Sequence, residues 1–288
     1  MFHTKFQQLL ASSVVLLLAS ASAQANDYAL EPIKTESAKI QDAITLSFSW
    51  ETFEGMELDE VEDFNGWTMA SELVWPFLDK FQIRFKLPLR TDGDAQVKPD
   101  NWIVPGMPID VEGNGGVYDF ITAQFEHQLM FEAQHDYNLS YYLGGGAVGY
   151  PLDTNLPRPG SGTDAINHNG TVFLLGVKAD TQRDDMHWLG NAGFRWYEGS
   201  DDLNPSNNDQ FLALDLKAAV VFAPWGNHVY PVIEATYLGD FSDLNQIAII
   251  PELLFPINSH VELKAGASIG LGGSGSEYGA QTEISIRF

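Results

Sequence analysis

The sequence closes on Tyr278-Gly279-Ala280-Gln281-Thr282-Glu283-Ile284-Ser285-Ile286-Arg287-Phe288. Successive side chains of a strand point to opposite faces, so Tyr278, Ala280, Thr282, Ile284, Ile286 and Phe288 share one face. Gly279, Gln281, Glu283, Ser285 and Arg287 share the other, which is polar and charged where the first is mostly apolar. The same period of two returns upstream. Ile44, Leu46, Phe48 and Trp50 alternate with Thr45, Ser47, Ser49 and Glu51, and Phe81, Ile83, Phe85, Leu87 and Leu89 with Gln82, Arg84, Lys86 and Arg90. Comparable patterns cover 67–75, 137–143, 186–197, 210–222, 229–237, 247–255 and 261–271, while 117–128 and 171–179 are strand-like with ambiguous facing. Together they make about twelve strands.

Composition narrows the class. A net charge of −24 over 288 residues repels phosphates and excludes nucleic-acid partners. The absence of Cys excludes disulfides, thiolate metal sites, a thiol nucleophile and a lipid-modified terminal Cys. Lys5, the apolar run from Leu9 to Leu18 and the small residues of Ala23-Gln24-Ala25 have the layout of a cleaved signal peptide over 1–25. After it, no run is long and apolar enough for a membrane helix. An alternating chain of this kind is a secreted β-sandwich or a membrane barrel, whose strands show only half of their residues to lipid.

The connections separate these two. Short turn-forming stretches at 76–80, 180–185, 223–227 and 256–260, with a slightly longer link at 129–136, alternate with mostly longer ones such as 53–66, 91–116, 145–170 and 198–208. Barrels of the bacterial outer membrane alternate tight periplasmic turns with extended outer loops; a sandwich has no reason to. The last strand, ending on Phe288, also resembles the closing strand of such barrels. That resemblance implies that Phe288 is an assembly signal for the barrel assembly machinery. The expected fold is therefore all-β, a monomeric transmembrane antiparallel barrel over 43–288 in the Gram-negative outer membrane, bathed in lipid and lipopolysaccharide. Trp75, Phe77, Trp225, Phe255 and Phe288 at the turn end, and Trp67, Tyr142, Trp196 and Tyr237 at the other, are expected to form two interfacial girdles. Residues 26–42 are polar and broken by Pro32. They are expected as a periplasmic extension, a disordered terminus rather than a segment reaching a little way into the pore, and too short for a plug domain.

About twelve strands leave a narrow lumen. Its expected lining sets Arg84, Lys86, Arg90, Arg195, Lys217 and Lys264 against Glu72, Glu126, Asp215, Glu234, Glu252 and Glu283. Most of these are expected to pair structurally, as with Glu72 and Glu126 on either side of the Arg84/Lys86 strand. Arg84, Lys86 and Arg90 are the expected selectivity elements, because no comparable anionic strand faces them. The outer connections hold Trp102, Met107, Tyr150 and Leu156, more apolar than solvated loops require, which suits a lid or a partner surface.

Catalytic patterns do not assemble. An outer-leaflet lipid-modifying enzyme needs a His within reach of a Ser nucleophile. His127, His135, His187, His228 and His260 map to the turn end, and only His168 maps outside, in a loop with Ser161 and Asp164 but no His-x-Ser strand motif. No cofactor or metal is expected, and an outer-leaflet lipid-modifying enzyme stays a minor alternative to a barrel without catalysis. Gly270-Leu271-Gly272-Gly273-Ser274-Gly275 opens no helix, so it reads as a glycine-rich turn and not a nucleotide loop. The acidic run from Asp59 to Asp63 lacks the ligand spacing of a calcium loop.

Four short motifs carry a family resemblance: Leu87-Pro88-Leu89-Arg90-Thr91-Asp92-Gly93, Gly116-Val117-Tyr118-Asp119, Ile250-Pro251-Glu252-Leu253-Leu254-Phe255, and Val261-Glu262-Leu263-Lys264-Ala265-Gly266. They are similar to those of the outer-membrane family named for the meta-pathway of phenol degradation. The resemblance implies a barrel and passage of small, often aromatic or apolar, compounds. The functional expectation is a narrow passive channel; the alternative is a structural or surface-interaction barrel acting through its loops.

Overall fold

The computed structural model describes residues 30–56, 61–97, 108–113, 120–148, 152–154, 165–166, 170–199, 210–226, 228–241 and 244–288. The 1–25 segment, the lid candidates Trp102, Met107, Tyr150 and Leu156, and His168 lie outside them. In chain order the elements are β1 (Thr45–Met56), β2 (Val61–Leu78), β3 (Phe81–Val97), β4 (Pro108–Gly113), β5 (Ile121–Met130), α1 (Glu132–His135), β6 (Asn138–Val148), β7 (Leu152–Thr154) and β8 (Ala165–Ile166). They continue with β9 (Gly170–Arg183), β10 (Met186–Glu198), β11 (Gln210–Val221), β12 (Tyr230–Gly239), β13 (Asn245–Pro256), β14 (Val261–Gly273) and β15 (Tyr278–Arg287).

Twelve of the strands form one closed antiparallel ring; β4, β7 and β8 build a small extension on β3. The ring closes where β1 meets β15, from Thr45↔Arg287 to Glu54↔Tyr278. Closure leaves no unpaired edge, the condition for a sheet that crosses a membrane. We call the end that holds Thr45, Arg287 and the Asp79–Lys80 and Asp184–Asp185 turns the terminal end, and the other the loop end.

Burial is inside out relative to a water-soluble protein. The outward side chains Phe48, Trp50, Phe85, Leu143, Phe173, Leu175, Trp188, Phe194 and Ile233 are all exposed, whereas Arg84, Glu126, Lys178, Asp180, Glu234, Glu252, Glu262 and Lys264 are buried in the lumen. A sandwich in water would reverse both sets; a continuous apolar exterior is stable only against lipid. The closing strand obeys its sequence pattern, with Gln281 and Ser285 buried inside and Tyr278 and Phe288 exposed outside.

Two side chains depart from the expected facing. A bulge between β2 and β3 pairs Met69 with Arg90 but the next residue, Ala70, with Pro88, so Leu89 is supernumerary. An extra residue reverses every facing beyond it. Arg90 therefore does not line the pore: it lies outside over the Trp67 ring, 5.8 Å from its centroid, and 3.2 Å from Asp92. Tyr142 belongs to no outer girdle. It is buried inside, where it fills the space above Gly176, to which it is paired, and Gly193 beyond; a Cβ on Gly176 would stand 2.5 Å from the tyrosine hydroxyl.

Candidate functional site

The polar inner faces of the strands converge on Arg84 and Lys178. Arg84 Nε lies 3.1 Å from Glu126 Oε1 and 3.4 Å from Glu36, its Nη2 lies 3.3 Å from Glu31, and its Nη1 meets Glu72. Lys178 Nζ meets Glu36 and lies 2.8 Å from Glu126. Glu126 also accepts from Gln82 at 2.7 Å and Gln124 at 2.9 Å. Such a cluster is tolerated in a low-dielectric interior only when each charge is paired and hydrogen-bonded. Four carboxylates surround Arg84: Glu72 and Glu126, expected on either side of its strand, and Glu31 and Glu36, which were not expected there. The expectation of an uncompensated selectivity element is thus corrected, since Arg84 is a member of the structural network. Glu31 and Glu36 belong to the segment before β1.

That segment is the second correction. Residues 30–41 are neither a free periplasmic extension nor a disordered tail; they lie in the lumen without helix or strand, and Thr35, Ser37 and Ala38 are at most 1% exposed. Backbone N–H groups so buried must find acceptors, and here the wall's side chains supply them. Ile33 donates to Glu252 at 3.2 Å, Lys34 to Glu234 at 3.2 Å, Glu36 to Asn191 Oδ1 at 2.8 Å and Ala38 to Asp180 at 2.5 Å. Ile40 donates to Gln128 at 3.1 Å and Gln41 to Gln82 at 2.8 Å. Asn191 Nδ2 returns a bond of 2.8 Å to the Glu36 carbonyl. These acceptors lie on β13, β12, β10, β9, β5 and β3 in that order, so the segment runs around the inner wall rather than along the axis. Asp180 is the main anchor, accepting also from Ser37 Oγ at 2.7 Å and Asn138 at 2.7 Å. Leu30 packs on a small apolar patch of Leu189, Ala219, Val221, Val232 and Leu254.

Glu36 sits on this segment and not on a spanning strand. Burial alone pushes its carboxyl up, but Arg84, Lys178 and Lys217 outweigh burial and hold it well below the usual carboxylate range. It stays ionised and locks the segment to the cationic wall.

The other expected lining residues fall into separate groups. Arg195 grips Asp215 at 2.8 Å and 2.5 Å with Lys217 3.7 Å away, and Lys264 lies 2.8 Å from Glu283 and 3.6 Å from Glu262. Lys86 faces a cavity of about 180 Å³ that also touches Lys34, Phe120, Tyr197 and Arg195. Above Arg195, Tyr197 stacks on Phe211 at 4.4 Å and tilts against Phe120 at 5.5 Å. Among the described residues no group of three or more metal-ligating side chains is assembled.

Lys178, Asp180, Asn191, Gln82 and Gln128 were not singled out from the sequence. On β9 the inward face reads Val172, Leu174, Gly176, Lys178 and the outward face Phe173, Leu175, Val177, so both are apolar for most of their length. Asp180 was assigned to a turn, but β9 continues to Arg183. The remaining signal was parity: each lies an even number of residues from a buried neighbour on its strand.

No family model matches the chain, and no curated protein does. Among solved structures, the fold is similar to an outer membrane channel from Pseudomonas putida F1, at 10% identity over 93% of this chain and 100% of that one, with a TM-score of 0.52. It is similar to the translocator domain of the autotransporter NalP from Neisseria meningitidis, at 12% identity over 99% and 96%, TM-score 0.55. The transport unit of the autotransporter AIDA-I from Escherichia coli aligns at 10% identity over 92% and 94%, TM-score 0.56. The class is therefore defined: the fold is that of Gram-negative outer-membrane β-barrels.

Proposed function

We propose that this barrel is an outer-membrane channel for small molecules, held shut by its own segment 30–41. The observation that carries this reading is the seating of that segment on six lumenal strands through wall side chains. A structural seal could be made by filling the lumen with bulky strand side chains, as narrower barrels do. An occupant without regular structure, held by wall side chains rather than by a sheet ladder, can instead leave without disturbing the ring's backbone pairing. The phenol-pathway resemblance belongs to the same proposal. Its motifs supply structure at this wall: Leu87 to Gly93 contains the bulge, and Glu252 pairs with Gly266 across β13 and β14. The Phe120, Tyr197 and Phe211 cluster beside Arg195 suits a small aromatic or apolar solute at the loop end. The reading assigns the chain no catalytic step, sets it in lipid and lipopolysaccharide as a monomer, and gives Phe288 the assembly role.

Planar-bilayer recordings test it. Asp180→Ala removes the anchor of the segment without touching the ring's backbone ladder, and is expected to raise mean conductance at least severalfold over wild type. No current and no solute flux in either protein would leave a surface-interaction barrel as the better reading.

A further inference from the structure

We propose that the lumenal wall is a binding site for extended polypeptide segments, recognised through their main chain, and that residues 30–41 are its resident ligand. This deepens the channel reading above, on which it rests, by naming what the vacated lumen takes.

Beside the ion pairs of Glu31, Lys34 and Glu36, a continuous series of contacts is made to backbone. The N–H groups of Ile33, Lys34, Glu36, Ala38, Lys39, Ile40 and Gln41 all reach wall side chains, at 2.5 Å to 3.3 Å. Every peptide without Pro at those places carries the same donors. The acceptors also have the right pitch. From Ile33 on β13 to Gln41 on β3, eight residues cross seven strand intervals, about one residue per strand. An extended chain advances about 3.3–3.6 Å per residue, against a strand spacing of about 4.7–4.9 Å, and a path inside the ring is shorter than the ring. The wall thus presents oriented acceptors at about the repeat of a largely extended backbone that bends at 33–34 and 38–39.

Side-chain demands fall at defined positions. Glu31 and Glu36 meet Arg84, Glu36 also meets Lys178, Lys34 Nζ lies 2.6 Å from Glu51, Ser37 Oγ donates to Asp180, and Thr35, Ser37 and Ala38 are buried at 0%, 0% and 1% exposure. Lys39 is exposed. The ligand class is therefore an extended peptide of about nine residues or more, with a carboxylate flanked by small residues, a basic residue two positions before it, and free N–H groups on both sides. When the lumen is vacated, Asp180, Asn191 and Gln128 lose partners they have in the occupied state, and buried polar groups without partners favour a replacement.

The experiment uses the full chain carrying Ala38→Pro and Ile40→Pro. These remove the Ala38 donor to Asp180 and the Ile40 donor to Gln128, leave Ser37 Oγ and the Lys39 N–H as the segment's remaining donors to Asp180, and keep every wall side chain in place. A fluorescent peptide of sequence 30–44 is titrated in detergent, and limited proteolysis of the same samples reports whether the resident segment has left. The peptide is expected to bind the variant at least about tenfold more tightly than wild type, where the tethered segment competes at high effective concentration. Exchanging peptide residues 33 and 39 is expected to change affinity by no more than about threefold, and N-methylation at 36, 38 and 40 to weaken it by about tenfold or more. A released segment with no bound peptide overturns the proposal, as does equal binding of the N-methylated peptide. A resident segment as resistant to proteolysis in the variant as in wild type overturns it too, since losing two of its seven main-chain donors would then not weaken its hold. A gated current with no peptide binding would refute only this inference; peptide binding without current would refute only the channel reading.

Discussion

The two halves of the lumenal wall satisfy their polar groups differently. Across β14, β15 and β1 they largely satisfy one another: Ser47 and Ser285 share a hydrogen bond of 2.8 Å, Lys264 meets Glu283 at 2.8 Å, and Gln281 donates to Glu51 at 2.7 Å. On β3, β5, β9, β10, β12 and β13 the corresponding side chains turn inward to the segment. The first half meets the segment at Lys34 Nζ, 2.6 Å from Glu51, whereas the second gives it six strands of acceptors. The comparison teaches that lining a pore and holding a ligand are separable tasks, done here by opposite walls of one ring.

The largest effect is expected where the occupied half concentrates charge. Lys178→Met leaves Glu36 and Glu126 without the ammonium between them, and breaking a buried ion pair from one side costs roughly 3–5 kcal/mol. Urea unfolding in detergent, read by heat-modifiable gel mobility, measures it. A loss near zero would break the division, because the occupied half would not depend on its internal charges.

Acid is expected to act more gently and on the same half. The folded-state carboxyl of Glu36 titrates below its ordinary value, so its contribution is fully present above the usual carboxylate range and is lost as pH falls below it. Cleavage of the segment by an acid-active protease is expected to rise below about pH 4, and to show no such dependence on this group in Glu36→Gln. A wild-type segment equally protected at both ends of that range would show that Glu36 does not lock it.

The smallest effect belongs to the self-satisfied half. Ser47→Ala with Ser285→Ala removes both partners of one bond, for a change of about 1 kcal/mol or less. Protease protection of residues 30–41 is expected to stay at the wild-type level; a comparable loss there would show that the halves are one unit.

What could be read from sequence follows the same line. Most of the twelve strands were legible because one face repeats every second residue, although the facing of 117–128 and 171–179 stayed ambiguous, and the pairing of Arg84 with Glu72 and Glu126 because they lie on neighbouring strands. Arg90 was misplaced because one extra residue at Leu89 carries no compositional mark. The segment was illegible for a deeper reason. Leu30-Glu31-Pro32-Ile33-Lys34-Thr35-Glu36-Ser37-Ala38-Lys39-Ile40-Gln41 has no period, and its conformation is dictated by acceptors scattered from Gln82 to Glu252. Polarity said only that it needs hydrogen-bond partners, not that the partners would be protein.

The order of those acceptors bears on how the chain is put together. Separations along the sequence rise steadily from the inner to the outer end of the segment: 41 for Gln41 to Gln82, 88 for Ile40 to Gln128, 142 for Ala38 to Asp180, 155 for Glu36 to Asn191, 200 for Lys34 to Glu234 and 219 for Ile33 to Glu252. The Ser47 to Ser285 contact at the seam, with a separation of 238, exceeds them all. Bringing distant parts of a chain together costs entropy that grows with the interval to be closed. Because each contact of the segment shortens the interval left for the next, the series divides one long closure into several short ones. The residues seated along the inner wall thereby act as a drawstring, reducing the entropic penalty of joining the first strand to the last.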